Sequence, residues 1–402
     1  MNILFISTEN PFPVDHGHHL RTYYVLKTLA QENRVFFIGF TQDNSGFRYQ
    51  DELKKMCESV DIFQLRYHGW RQQILALKNI FSSKPLIVEK YFDTRAVERI
   101  QELIAGGDID VVHIDMLHIA SYKNAINTVP CVLTNHNVES VRILRWSNVV
   151  KNPFLKTYLR LQYKKLQDFE GCVCGQFDRC VVVSEYDREC LRQMCGDLHF
   201  EIVANGVNAV YFQPARAPTR PDELVWTGSM KGPYNRDAVQ YFLAEIWPLI
   251  HQVHPGITVN FVGDSPVEQL VRLAEKSAHV KYTGYVDDVR PYVADAAVFI
   301  APLRSGSGTK IKVLNAMAQA RPVVTTSIGA EGIEAWDGKE IIIADSPGEF
   351  AEKTMYLIQH PQEAQQIGLR ARKVIEEKYA WSVLEEKIKN IYEDVKREHA
   401  TA

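Results

Sequence analysis

Residues 298–333 read VFIAPLRSGSGTKIKVLNAMAQARPVVTTSIGAEGI, and the order of elements in them decides the fold class. An apolar strand is predicted at Val298–Pro302, followed by a glycine-bearing loop, Arg304-Ser-Gly-Ser-Gly-Thr-Lys310. Apolar residues at Ile311, Leu314 and Ala318 then follow the spacing of a helix lying on a sheet. A second apolar strand, Pro322–Thr326, closes the stretch. Strand, loop, helix and strand make a right-handed β-α-β unit. Its loop aims backbone N–H groups and a helix N-terminus at one edge of the sheet, a setting that favours an anion. Lys310 and Lys312 stand at that end, where they oppose the helix dipole, and a ligand phosphate would account for both. A tight structural turn is the competing reading, since the loop has neither the Walker A nor the G-x-G-x-x-G pattern.

The same pattern repeats outward from this stretch. Strands are predicted at Leu224–Thr227, Thr258–Val262 and Val280–Tyr282, each running into a glycine: Gly228, Gly263 and Gly284. Four strand-to-glycine junctions on one sheet edge describe a doubly wound, nucleotide-style domain. The N-terminal half begins alike, with strand Asn2–Ser7, a helix from about Leu20 and strand Arg34–Phe40, and further strands at 61–66, 111–114, 131–135 and 177–184. Asn205-Gly206 and the proline-rich tract Pro214–Pro221 mark the boundary. We therefore expect an N-terminal Rossmann-like domain over 1–205 and a second over 206–378. A C-terminal helix over 379–402 can pack back on the first. Two such domains facing each other leave a cleft as the default ligand site.

Bulk properties exclude several classes. At 402 residues, 46% hydrophobic and net charge −3, the chain has no global attraction to nucleic acid. No signal peptide and no membrane-spanning run is read, so a cytoplasmic protein is expected. Seven cysteines, five of them between Cys172 and Cys195, have no zinc-site spacing and read as reduced thiols.

In the N-terminal half, candidate functional residues gather at predicted strand C-terminal ends. Asp15-His-Gly-His-His19 follows the first strand. Metal binding there is disfavoured, because adjacent loop histidines are seldom all ligands; close backbone approach at Gly17 is preferred. Arg21 reads either as reaching the same place or as a solvated charge. His136, in Thr134-Asn-His-Asn-Val-Glu139, is a candidate functional histidine, with a capping or core role as the alternative; His113, inside its strand, reads as structural. The stretch from Arg142 to Lys165 carries seven cations and no acidic residue, interleaved with Trp146, Phe154 and Tyr158. It fits an anionic membrane surface or, as the bland reading, a solvated helix face.

Taken together these residues resemble the retaining glycosyltransferases of family 4, with their GT-B architecture. The resemblance covers nearly the whole chain and rests on Gly308-Thr-Lys-Ile-Lys-Val-Leu-Asn-Ala-Met-Ala318, Gly329-Ala-Glu-Gly332, Asn205-Gly-Val207, Trp226-Thr-Gly-Ser-Met230 and Gly284-Tyr-Val-Asp287. It implies a nucleotide-diphosphate sugar, with UDP or GDP, as co-substrate, no cofactor and no metal. Lys310 is implied to neutralise the donor diphosphate, assisted by Lys312, with Gly228, Ser229 and Lys231 nearby. Gly306, Ser307, Gly308 and Thr309 would contact phosphate or sugar, backbone near Val286 would hold the base, and Gly17 would close over the diphosphate. His136 is implied as catalytic, with Arg21, Asn137, Glu139 and Glu331 positioning sugar or acceptor. The implied partners are a glycan or lipid-linked acceptor and an anionic membrane surface through Arg142–Lys165, with no nucleic acid.

The chain also departs from the family pattern. Ser307 and Asn315 stand where the family usually has glutamates, Ala320 where it has glycine, and Ser229 and Tyr234 where it often has Arg and Lys; Lys231 or Arg236 are candidate substitutes. Losing a charged acceptor at Asn315 removes about 1.5–3 kcal/mol from a hydrogen bond, which is one or two decades in donor affinity. These departures also fit a non-catalytic GT-B scaffold. A sugar-nucleotide epimerase would need clustered catalytic carboxylates that the sequence does not display.

Overall fold

A computed structural model describes residues 1–14, 17–67, 69–196, 198–214 and 220–401. It contains two compact units, Met1–Ala204 with Leu384–Ala402, and Asn205–Val383.

The first unit is built on a parallel sheet of seven strands: β1 (Asn2–Ser7), β2 (Arg34–Thr41), β3 (Ser59–Gln64), β4 (Val111–Asp115), β5 (Cys131–Thr134), β6 (Arg179–Val182) and β7 (Phe200–Ile202). Their order is β3-β2-β1-β4-β5-β6-β7. In β1 the run Ile3, Leu4, Phe5, Ile6 is fully buried. A continuous apolar run of this kind suits a central strand covered by helices on both faces. The order reverses between β1 and β4, which pair in register with Ser7 beside Asp115. A crevice outside the strand C-terminal ends opens at such a reversal.

The last helix, Trp381–Thr401, supplies a buried stripe of Leu384, Ile388, Ile391, Tyr392 and Val395 at helical spacing. Within this unit the Tyr392 hydroxyl bonds His113 Nδ1, and Lys396 pairs with Asp110 at 3.0 Å. His113 is therefore a core histidine, stacked on Phe5 at 4.1 Å.

The stretch Arg142–Lys165 forms two helices, Glu139–Val149 and Pro153–Val173, separated by the Asn152 cap and Pro153. Its cations do not share one surface. Arg142 pairs with Glu139, Arg145 donates to the Tyr186 hydroxyl at 2.8 Å, and Lys165 is buried with its ammonium on the Asn79 carbonyl. Lys151, Arg160 and Lys164 are exposed, and so is Phe154.

The second unit holds six parallel strands, β8 (Arg220–Thr227), β9 (Thr258–Val262), β10 (Val280–Tyr282), β11 (Ala296–Ala301), β12 (Val323–Thr325) and β13 (Ile342–Ile343), in the order β10-β9-β8-β11-β12-β13. Strand β8 starts at Arg220, four residues before the predicted Leu224, so the described end of the expected linker already lies in the sheet; residues 215–219 lie outside the described residues. The two-residue edge strand β13 is too short to leave a periodic signal. After β8 a helix begins at Pro233 and passes through a π-turn at Phe242–Ile246. Pro248 follows that turn and has no N–H for the regular ladder.

Among the described residues, no helix is long and apolar enough to cross a membrane, and all seven cysteines are free thiols.

Candidate active site

In the first unit the topological reversal gathers a buried chain of polar groups. Asp115 ends β4 and is almost fully buried. Its Oδ2 accepts from the Thr22 hydroxyl at 2.6 Å and from Ser7 Oγ at 3.4 Å. Its Oδ1 lies 2.7 Å from His136 Nε2 and 3.5 Å from His113 Nε2. Burial opposes ionisation of this carboxyl, but His136 and His113 beside it outweigh that and hold it well below the usual carboxylate range.

An ionised Asp115 accepts from His136 Nε2. His18 Nδ1 lies 3.2 Å from His136 Nδ1, and His18 Nε2 lies 3.1 Å from the Thr8 hydroxyl. Burial, then the neighbouring His136, pushes His18 down to about 3, which keeps it neutral at ordinary pH. The result is a relay that links Thr8, His18, His136 and Asp115. Among the described residues, His18, Asp115 and His136 are also the group whose ligand-type atoms lie close enough to hold a metal, within 4.8 Å of one another. In this structure those atoms are engaged with each other. Asp15 and His16 of the predicted histidine loop lie outside the described residues.

The other N-terminal candidates separate. Gly17 is the first residue of the helix Gly17–Ala30, three residues earlier than predicted. Arg21 is no solvated charge: it is 1% exposed and donates to the Ala204 carbonyl at 3.0 Å. Asn137 and Glu139 turn toward each other at 3.4 Å, and Glu139 pairs with Arg142 and lies 3.5 Å from His118. Burial disfavours the Glu139 charge, but Arg142 and His118 bring the carboxyl down to about 2. The Glu139 N–H is capped by Glu170, whose own carboxyl burial raises to about 8.

In the second unit the order reverses between β8 and β11, and the loops after both strands carry the predicted donor residues. Gly306 and Gly308 hold φ of +117° and +69°, backbone that other residues rarely adopt, so the glycine spacing answers a conformational demand. Ser305, Ser307 and Thr309 are buried, and the Asn205 amide donates to the Thr309 carbonyl at 3.3 Å. The Lys310 ammonium reaches the Gly308 carbonyl at 2.5 Å. Lys312, in the first turn of the helix Ile311–Ala318, donates to Asn235 Oδ1 at 2.8 Å and sits 4.1 Å over the Trp226 ring. Burial, then repulsion from Lys310, lowers Lys312 to about 7. Gly228 leaves room for it: a Cβ there would stand 2.7 Å from Lys312 Nζ.

Ser229 anchors the same loop, its carbonyl accepting from Asn235 Nδ2 at 2.7 Å. Lys231 pairs with Asp264 at 2.9 Å, and Arg236 donates to the carbonyls of Met230 and Lys231. Lys231 is thus engaged with the loop after β9, and Arg236 with its own loop. Val286 lies partly exposed after β10, Asn315 is half-buried one turn into its helix, and Glu331 precedes Gly332, whose carbonyl is 3.5 Å from Thr309 Oγ1. Asp115 and Thr22 were missed in the sequence, although Asp115 stands just past a predicted strand C-terminal end, which was the available signal; His18 was read only as part of the histidine loop.

Residues 23–210 match the family described as Glycosyltransferase Family 4, and residues 221–360 match Glycosyl transferases group 1. The chain is a family 4, group 1 glycosyltransferase. It is 22% identical over 396 residues to an uncharacterized 44.6 kDa protein in the cps region of Klebsiella pneumoniae, covering 94% of this chain and 96% of that one. In structure the glycosyltransferase resembles sucrose-phosphate synthase of Thermosynechococcus elongatus, with a TM-score of 0.74 at 15% identity over 98% of this chain and 99% of that one. It also resembles Anabaena HepE in complex with UDP-glucose, with a TM-score of 0.64 at 15% identity over 98% and 100%. These likenesses carry the fold: two parallel sheets with helices, of the GT-B type.

Proposed function

We propose that this glycosyltransferase moves a sugar from a nucleotide-diphosphate sugar, carried on UDP or GDP, to a glycan or lipid-linked acceptor with retention of configuration. The observation that carries this reading is the pairing of Lys310 and Lys312 with a glycine loop at the β8/β11 reversal. Two lysines this close repel each other, and an anionic ligand between the loop and the helix N-terminus relieves that repulsion. The likeness to HepE, which holds UDP-glucose, supports a nucleotide sugar as that ligand.

Transfer passes through an oxocarbenium-like state as the nucleotide diphosphate leaves. Lys310, Lys312 and the loop amides take up the charge developing on the departing phosphate, so the protein meets this need without a metal ion. The acceptor attacks from the face the phosphate leaves, and the phosphate oxygen receives its proton. His136, held in place by Asp115, positions the transferring sugar.

The test is a thermal-shift titration of the full chain with UDP, GDP, ADP and CDP. A ligand that binds the native state raises its stability by RT ln(1 + [L]/Kd), so the carrier nucleotide should stand out. Absence of any response would overturn the donor reading and favour a non-catalytic member of the family.

A cytoplasmic site of action at the membrane face, in polysaccharide or glycolipid synthesis, completes the proposal. The cps-region setting of the Klebsiella pneumoniae relative supports the pathway class. Phe81 and Phe154 are 92% and 85% exposed, and the cations near them in sequence, Lys84 and Arg160, are exposed as well, which supports the membrane contact. Phe81→Ser with Phe154→Ser should reduce sedimentation with anionic liposomes; failure of the unaltered protein to sediment would end this part of the reading.

A further inference from the structure

We infer that Tyr392, on the last helix of the chain, is a positioning residue of the transfer site: through His113 it holds the Asp115 carboxylate that orients His136. The inference rests on the sugar-transfer reading above and adds a residue behind its histidine relay.

Strand β4, Val111-Val-His-Ile-Asp115, lies between β1 and β5, and every residue of it is buried. Successive side chains of a strand point to opposite faces, so His113 and Asp115 share one face. Their partners in register on β1 are Phe5 and Ser7. A strand covered on both faces is ordinarily apolar throughout, and two polar side chains at this spacing need partners inside the protein. The helix Trp381–Thr401 supplies one of them. Its buried stripe is aliphatic at Leu384, Ile388, Ile391 and Val395, but Tyr392, 2% exposed, brings a hydroxyl into it. Phenylalanine would fill nearly the same volume without the cost of burying that hydroxyl.

The hydroxyl shares a hydrogen bond with His113 Nδ1, and His113 Nε2 lies 3.5 Å from Asp115 Oδ1. The same Oδ1 is 2.7 Å from His136 Nε2. One carboxylate oxygen thus faces both imidazoles, while Thr22 holds the other oxygen at 2.6 Å. Neither added link is charged. Burial lowers His113 against the opposing pull of Asp115, so its ring is neutral at ordinary pH. Burial, then the Asp115 charge, raises the Tyr392 hydroxyl above its usual range, so it keeps its proton. Arg21, buried as well, has Asp115, Tyr392 and Asp187 as electrostatic neighbours. The direction of the Asp115 carboxylate is therefore set by hydrogen bonds. His113 is held by the Tyr392 hydroxyl at one end and by its stacking on Phe5. Without the hydroxyl the His113 ring is freer to turn, and Oδ1 loses a fixed neighbour on the side away from its bond to His136.

The experiment compares two variants of the full chain. Tyr392→Phe removes the hydroxyl and keeps the ring, and Ile391→Val trims packing in the same helix. Tyr392→Phe should lower kcat about three- to tenfold and leave the Kd for UDP or GDP unchanged. Ile391→Val should lower the Tm and leave kcat within about twofold. Proton NMR adds a readout that needs no turnover. The proton between His136 and Asp115 resonates far downfield of the amides, and Tyr392→Phe should move that signal and speed its exchange with water, whereas Ile391→Val should not. A kcat unchanged in Tyr392→Phe, equal kcat losses in both variants, or an unmoved downfield signal would each overturn the inference and leave Tyr392 a packing residue. Failure of the sugar-transfer reading looks different: no donor is turned over by any of the three proteins, while the downfield signal still responds to Tyr392→Phe alone.

Discussion

The two sheets of this glycosyltransferase reverse strand order in the same way, between β1 and β4 in one and between β8 and β11 in the other, yet they dress that edge with opposite chemistry. The first presents a buried carboxylate, Asp115, and two histidines hydrogen-bonded in series. The second presents glycines at positive φ and two lysines, one lying on a tryptophan ring. A shared backbone plan therefore fixes where ligands approach, and the side chains fix which ligand each edge accepts. The second edge has the cations and N–H groups an anion needs, and the first holds an imidazole against a buried carboxylate.

The contrast breaks most visibly at Lys310. If the second edge serves the leaving diphosphate, Lys310→Ala should lower turnover by about 10²–10³-fold, the loss typical of removing one group aimed at developing charge. Steady-state release of the nucleotide measures this. Turnover within a few-fold of the unaltered enzyme would remove Lys310 from the chemistry and leave the loop as a structural turn.

The second edge was also the more legible of the two in sequence. A glycine at positive φ, as at Gly306 and Gly308, leaves a local mark in the sequence. The β-α-β order of both units follows from apolar runs such as Ile3–Ile6, which need cover on both faces. What stayed hidden depends on contacts between distant positions. Asp115 looks like the last residue of an apolar strand until its partners Thr22 and His136 are known. Lys312 lies 77 positions after Asn235, and farther still after Trp226, the groups that enclose it. Lys165 reads as one more surface cation, and only the fold shows its ammonium under the Asn79 carbonyl. The solvated-charge alternative for Arg21 fails for the same reason, since nothing local announces the Ala204 carbonyl.

Asp115→Asn sharpens the comparison from the other side. The substitution keeps the shape but removes the charge that accepts from His136 Nε2, so the orientation of the His136 ring is no longer fixed. We expect kcat to fall about 10–100-fold, as when an orienting carboxylate behind a catalytic imidazole is lost, while the Kd for the nucleotide stays within a factor of two or so. Direct titration of the nucleotide alongside turnover separates the two effects. A parallel loss of nucleotide affinity would show that the two edges are not chemically independent.

The smallest effect is a proton. Lys312 has an ordinary value of 10.5, and burial beside the Trp226 ring, with Lys310 adding repulsion, brings it down to about 7. Because the folded value lies below the unfolded one, the penalty on stability is complete below pH 7, where the lysine is charged in both states. It fades as pH rises toward 10.5, where the lysine is neutral in both. A diphosphate placed against Lys312 restores the charge. Nucleotide binding above pH 7 should then take up close to one proton, and affinity should weaken by up to about tenfold per pH unit over the first units above that point. Calorimetry in two buffers of different ionisation enthalpy counts that proton, and Lys312→Met should abolish the uptake while Lys310 remains in place. Uptake unchanged in Lys312→Met would assign the proton elsewhere, and binding with no uptake at all would move the diphosphate away from Lys312 and leave Lys310 and the glycine amides to hold it. Either result would narrow the cationic edge to a single lysine without touching the histidine relay opposite in kind to it.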